Sequence, residues 1–280
     1  MPANSSLWDR RGHWPAHLAL GYETTKHKTV LKYRERQGPL SVQRPHYAED
    51  GTCHTLILHP PGGVVPGDSL DIYIRAKSGT HVLISTPGAT KYYNADHRVA
   101  KITTTLDIAG TVEWLPLDNI LFSGAKVVSK TRINLSKDAR FFGWETFCLG
   151  RTAAGETFRE GSLDAGLQLW QEQRPLQIDR TLINAPAFLS GSTTTRQLPI
   201  QSIVYATPAT SQLRDEIRKK AIEFCNKDQM FATTLIGNLL IARFLGSDNR
   251  EAQNSLRNLW AITREEVIGK EPCPPRIWNT

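Results

Sequence analysis

Between Thr29 and Ile183 the chain keeps a two-residue hydrophobic rhythm, broken every few residues by glycine turns. Leu70, Ile72 and Ile74 alternate with Asp71, Tyr73 and Arg75. His81 to Thr86 reads as a second strand. Ala100, Ile102, Thr104, Leu106 and Ile108 alternate with Lys101, Thr103, Thr105 and Asp107. Successive side chains of a strand point to opposite faces, so such runs are half-buried strands. Turns fall at Asp50-Gly51, Ser78-Gly79, Ala109-Gly110, Ser123-Gly124 and Ala154-Gly155. Three of them are followed by Thr52, Thr80 and Thr111, a loose coil-like recurrence.

Helical periods come late. Leu213, Ile217, Ala221, Phe224 and Cys225 form one stripe, with Thr207 and Ser211 as cap candidates. Ala252, Leu256, Leu259, Trp260 and Thr263 form another, with Asp248 as cap and Glu251 three residues on. Leu235 to Phe244 fits either a buried strand or a helix. Three prolines, Pro272, Pro274 and Pro275, predict an extended tail. No Gly/Ser linker divides the 280 residues. The expectation is therefore one mainly β domain over 1–280: strand-rich over 14–205, helix-containing over 207–268, and a tail over 269–280.

Composition excludes several classes. No run of about 20 apolar residues is present; the most apolar stretch, Met230 to Leu245, is broken by Asn238 and Arg243. The first residues lack the apolar core of a secretory signal. Cys53, Cys148, Cys225 and Cys273 are scattered, with no CxxC pair, which fits a reducing cytoplasm. Net charge is +7, and residues 1–46 hold eight Lys or Arg against three Asp or Glu. That basic bias suits an acidic partner or simply a solvated surface. No nucleic-acid-binding motif accompanies it.

The chemistry-bearing residues are few. Gly62 to Ser69 nearly spells a phosphate loop, but Asp68 occupies the lysine position and a strand follows in place of a helix. This segment reads as a Gly/Pro turn or as a cation-facing turn with Asp68 as oxygen ligand. No Gly-x-Ser-x-Gly elbow and no His-Glu-x-x-His occurs. His54 and His59, five apart on a strand, point to opposite faces and make poor joint ligands. Glu113 and Glu145 each sit beside a tryptophan, Trp114 and Trp144, and Asp118 follows closely. Buried carboxylates are costly unless bonded or ligating. Carboxylates spread over several strands suit weak oxygen coordination of a passing metal better than a fixed acid–base pair.

In order, these segments resemble the UreD (UreH) family of urease accessory proteins. The resemblance runs from Trp14-Pro15-Ala16-His17 through His59-Pro60-Pro61-Gly62-Gly63-Val64-Val65 with Gly67-Asp68. It continues with Thr86-Pro87-Gly88-Ala89-Thr90-Lys91-Tyr92-Tyr93, Glu113-Trp114-Leu115-Pro116, Gly143-Trp144-Glu145 and Pro275-Arg276-Ile277-Trp278. Pro66 departs from it, since members usually carry Gly there. The resemblance implies a β-helix-like stack of strands with a few helices appended in the C-terminal part. It also implies a cytoplasmic scaffold that is not an enzyme and that binds apo-urease, the helical accessory protein UreF and the GTPase UreG. Such a scaffold that must cover its partners predicts poor solubility of the chain alone, with the helix stripes as the exposed apolar faces. Nickel would pass through an internal tunnel, with no tightly bound cofactor and no fixed metal site. By position, Asp68 and Glu145, then Glu113 and Asp118, are the candidates for that path. Asp68 follows a glycine turn that leaves room, and Glu145 has Trp144 and Phe142 as apolar neighbours in sequence. Gly62, Gly63, Gly67, Lys91, Trp114 and Trp144 are the candidate structural motif. No nucleic acid and no membrane is expected as partner.

Overall fold

A computed structural model describes residues 14–185, 195–224 and 229–279. In chain order the strands are β1 (Pro15–Thr25), β2 (Lys28–Gln37), β3 (Ser41–Val42), β4 (His46–Tyr47), β5 (Cys53–Leu58) and β6 (Ser69–Ala76). Then come β7 (His81–Ser85), β8 (Thr90–Tyr92), β9 (Ala100–Ile108), β10 (Thr111–Leu115), β11 (Asn119–Leu121) and β12 (Lys126–Leu135). They are followed by β13 (Arg140–Leu149), β14 (Ser162–Gln171), β15 (Arg174–Asn184) and β16 (Ile200–Thr207). The end of the chain holds α1 (Ser211–Phe224), β17 (Met230–Ile236), β18 (Leu239–Gly246) and α2 (Asn249–Ile268). The protein is thus mainly β, with its helices in the C-terminal part.

Two sheets carry the fold. One has the order β15-β14-β12-β9-β6-β1-β2, the other β17-β18-β16-β13-β10-β7-β5-β3. From β5 to β14 the chain crosses between them, laying each new strand parallel to its predecessor: β6, β9, β12 and β14 in one sheet, β7, β10 and β13 in the other. The loose Gly-Thr recurrence marks this stacking. Thr111 N donates to Thr80 O at 2.8 Å, and Arg140 N donates to Gly110 O at 3.0 Å, so successive turns lie one on the next. Antiparallel pairs close the run: β1/β2, β14/β15, β13/β16 and the β17/β18 hairpin.

Apolar residues of the alternating strands meet between the sheets, where Leu20, Ile74, Leu106, Val112, Phe141, Leu163 and Leu169 form one core. The second sheet is covered on its other face as well, by α1 and α2. There Leu83, Phe142, Trp144 and Val204 meet Leu213, Ile217, Leu256, Leu259 and Trp260. Such a doubly covered strand reads as a continuous apolar run, as β13 does in Phe141-Phe142-Gly143-Trp144.

Several sequence expectations change here. Leu235 to Phe244 is neither one strand nor a helix. It spans the β17/β18 hairpin, whose turn residue Gly237 has φ of 60°. The cap of α1 is Thr210, whose Oγ1 accepts from Leu213 N at 3.2 Å; Thr207 ends β16 and Ser211 begins the helix. Asp248 caps α2 as expected, accepting from Glu251 N. The tail does not stay extended: Arg276–Asn279 close a short 3-10 turn that buries Trp278. Cys225, the first residues with His13, and Thr280 lie outside the described residues.

Candidate functional site

The candidate site starts from the alternation of β13. Phe141 and Phe147 face the core between the sheets, while Phe142 and Trp144 face the helices. Glu145 therefore points between the sheets, away from Trp144 and Phe142. The sequence neighbours assigned to it as an apolar pocket lie on the other side of the sheet, because adjacent strand residues oppose each other. Trp144 instead packs on Phe142 and Trp278 at ring distances of 5.9 and 6.1 Å, and its Nε1 donates to Pro116 O at 2.8 Å.

Glu145 is 9% exposed and accepts a hydrogen bond from Thr131 Oγ1, which reaches across from β12 in the opposite sheet. Burial pushes its carboxyl up to about 7, with the Thr131 bond pulling the other way. Near neutral pH the group therefore divides between its protonated and ionised forms. A cavity of ≈ 460 Å³ between the sheets is lined by Glu145, Thr131, Trp114, Tyr92, Thr104 and His59, among others. A second, of ≈ 220 Å³, is lined by Glu145, Phe147, Asp179, Gln201 and Arg243. Glu145 is the residue common to both. Beyond it, Asp179 accepts from Arg243 Nη2 at 2.7 Å, from Gln177 Nε2 at 2.9 Å and from the Tyr205 hydroxyl.

The other three carboxylates lie elsewhere. Asp68 is buried, and its two oxygens accept from Trp14 N and Val65 N, each at 3.1 Å. The residue fastens its own turn to the start of β1. Gly67 and Gly62 have φ of 90° and 76°, the left-handed region that favours glycine. Gly63 differs: a Cβ there would stand 2.4 Å from the Tyr93 ring, which is partly exposed and would have to shift. Lys91 contributes its backbone carbonyl, which accepts from Val64 N at 2.7 Å.

Glu113 and Asp118 face the helix layer. Glu113, with no exposed surface, accepts from His81 Nε2 (2.8 Å), Trp260 Nε1 (2.6 Å) and Arg264 Nε and Nη2 (3.0 Å each). Burial alone would raise its carboxyl; the bonds from His81 and Arg264 outweigh it and leave the group below its ordinary value. Arg264 also reaches Asp50 Oδ2 at 2.8 Å. Asp118 accepts from Asn249 Nδ2 (2.7 Å) and Gln253 Nε2 (2.5 Å) of α2, and burial raises its carboxyl. The four predicted carboxylates are thus divided between a turn, the inter-sheet space and the helix interface, not gathered at one point. Among the described residues no group of three or more His, Cys, Asp or Glu is placed to hold a metal ion.

Sequence reasoning misses Thr131, Asp179 and Arg243, which line the cavities beside Glu145 and come near it only in the fold. Arg264 does leave a signal: it follows Trp260 by four, so it sits on the buried stripe of α2, where a charge requires a partner.

A family model described as "UreD urease accessory protein" matches residues 15–279. The chain is 40% identical to the urease accessory protein UreD of Alcanivorax borkumensis, over 99% of this chain and 96% of that one. It is also 40% identical to the UreD of Enterobacter sp. strain 638, over 95% and 96%. Against the UreD of Klebsiella pneumoniae subsp. pneumoniae the identity is 37%, over 95% and 96%.

Proposed function

Since the chain belongs to the UreD family of urease accessory proteins, we propose that it acts in the cytoplasm as a non-catalytic scaffold for nickel delivery. In this reading it binds apo-urease together with UreF and UreG, and nickel, its cargo, passes between the two sheets. The observation that carries the reading is the position of Glu145, the residue shared by the two inter-sheet cavities. An ion moving from one cavity to the other meets a carboxylate there. Oxygen donors with few fixed partners hold a divalent cation weakly enough to release it. Asp179, Gln201 and Ser202 continue the polar lining on the far side. Asp68, Glu113 and Asp118 serve this function indirectly, by holding the turn and helices that enclose the sheets. The alternation of parallel strands between two sheets supports a β-helix-like stack forming one domain.

The test uses cells carrying the urease genes. Glu145→Gln keeps the side-chain volume and removes the ionisable oxygen. Urease activation is expected to fall, while urease, UreF and UreG still co-purify with the variant. Full activation by the variant overturns nickel passage at Glu145. Failure of the unaltered chain to co-purify with urease overturns the scaffold.

A further inference from the structure

We propose that His46 and His54 form a two-imidazole binding site for a borderline divalent cation, nickel or zinc, apart from the inter-sheet space. The two residues are direct cross-strand partners on β4 and β5. Directly opposite residues of an antiparallel pair share a face, with Cβ atoms about 4.5–5.5 Å apart. Their ring centres lie 6.4 Å apart, with the rings inclined at 76°. A cation bridging two imidazoles through bonds of about 2.0–2.1 Å sets the ring centres roughly 5–6 Å apart. The exposed His46 ring has the freedom to close the remainder.

His54 supplies the second observation. It is 8% exposed, and its Nε2 has no hydrogen-bond partner. A buried polar atom without a partner is rare and calls for a reason. Both rings line a hollow of ≈ 560 Å³ walled by Leu56, Leu83 and Ile277, at the end of the helix layer. Imidazole suits nickel and zinc. Arg44 and Arg276 border the same hollow and repel a bare cation, so the site is weaker than a four-ligand structural centre. Sequence spacing hides the pair. In sequence the nearest histidine to His54 is His59, just past the end of β5; its true neighbour stands eight residues earlier, on β4.

Nickel, and separately zinc, is titrated calorimetrically into the tag-free full-length chain near neutral pH. His46→Gln and His54→Gln are each expected to lose one bound ion per chain, and Glu145→Gln to keep it. Because His46 is exposed, its variant retains the fold even if the His54 variant does not, and circular dichroism checks this. Unchanged stoichiometry and affinity in His46→Gln overturns the site. Loss of the ion only in Glu145→Gln also overturns it, while leaving the inter-sheet reading intact.

Discussion

Glu145 shows how much one side chain's environment depends on the strand face it occupies. Its position on β13 turns it into the space between the sheets, where Thr131 is its hydrogen-bond donor. The folded chain holds a proton there up to about pH 7, against an ordinary value of 4.5. Folding therefore gains from this proton fully below about 4.5, and the gain is lost as pH rises through about 7. A shift of this size corresponds to about 3 kcal/mol. Glu145→Gln cannot ionise, so its stability relative to the unaltered chain is expected to rise by an amount of this order between acid and mildly alkaline pH. Urea denaturation of both proteins across that range measures the difference, and a difference that stays flat would contradict the assignment. Asp68 is the opposite case. The room expected beside its glycine turn is occupied by its own hydrogen bonds to Trp14 N and Val65 N.

At the scale of elements, the cap of α2 and the alternating strands are legible in the amino-acid order, because they depend on neighbours in sequence. Asp248 capping α2 is local in this sense. So is the alternation from Ala100 to Ile108, which forms β9. The β17/β18 hairpin is harder to read: both strands are apolar, and only Gly237 and Asn238 separate them. The destination of the helix stripes is not legible at all, since an amphipathic face packs equally well on its own sheet or on a partner. In the structure Leu213, Ile217, Leu256 and Trp260 all turn inward against the second sheet. One fastening of α2 is the buried contact of Arg264 with Glu113 and Asp50, made across 151 and 214 residues of sequence. Removing one partner of a buried ion pair costs about 3–5 kcal/mol, because the other charge is left uncompensated. Arg264→Leu is expected to destabilise the chain by about that much. Adding Glu113→Gln should recover part of the loss. Denaturant midpoints of the two single variants and the double decide it, and strict additivity would sink the pairing.

The whole molecule keeps its exposed apolar groups away from the helices' packed faces. Ile178 and Leu182 lie on β15, at one edge of its sheet, with exposures of 57% and 64%. Met230 and Ile236 lie on β17, at an edge of the other. An uncovered edge with apolar residues is a template for association. Leu213, Ile217, Ala221, Leu256, Leu259 and Trp260, buried as they are, no longer account for poor solubility of the isolated chain; that expectation passes to the sheet edges and to Ile222 on the outer side of α1. Ile178→Lys with Leu182→Lys is expected to raise the soluble fraction on expression without lowering the melting temperature. An unchanged soluble fraction would place the cause elsewhere.

The stack of parallel strands also has an order in time. Each crossing adds a rung beside the one before it, so the growing chain can assemble from its first turns onward as it is made. The turn at Asp50 is an exception. Its carboxylate and its carbonyl are held by Arg264 and Lys270, residues that are synthesised near the end. Until α2 is released, Glu113 has no guanidinium beside it, and Trp144 lacks the Trp278 ring that stacks on it. The contacts of the Asp50 turn with Arg264 and Lys270 therefore form only once α2 and the residues after it have been made. A nascent chain stalled before that point carries an uncovered sheet face and a buried-to-be carboxylate still open to water.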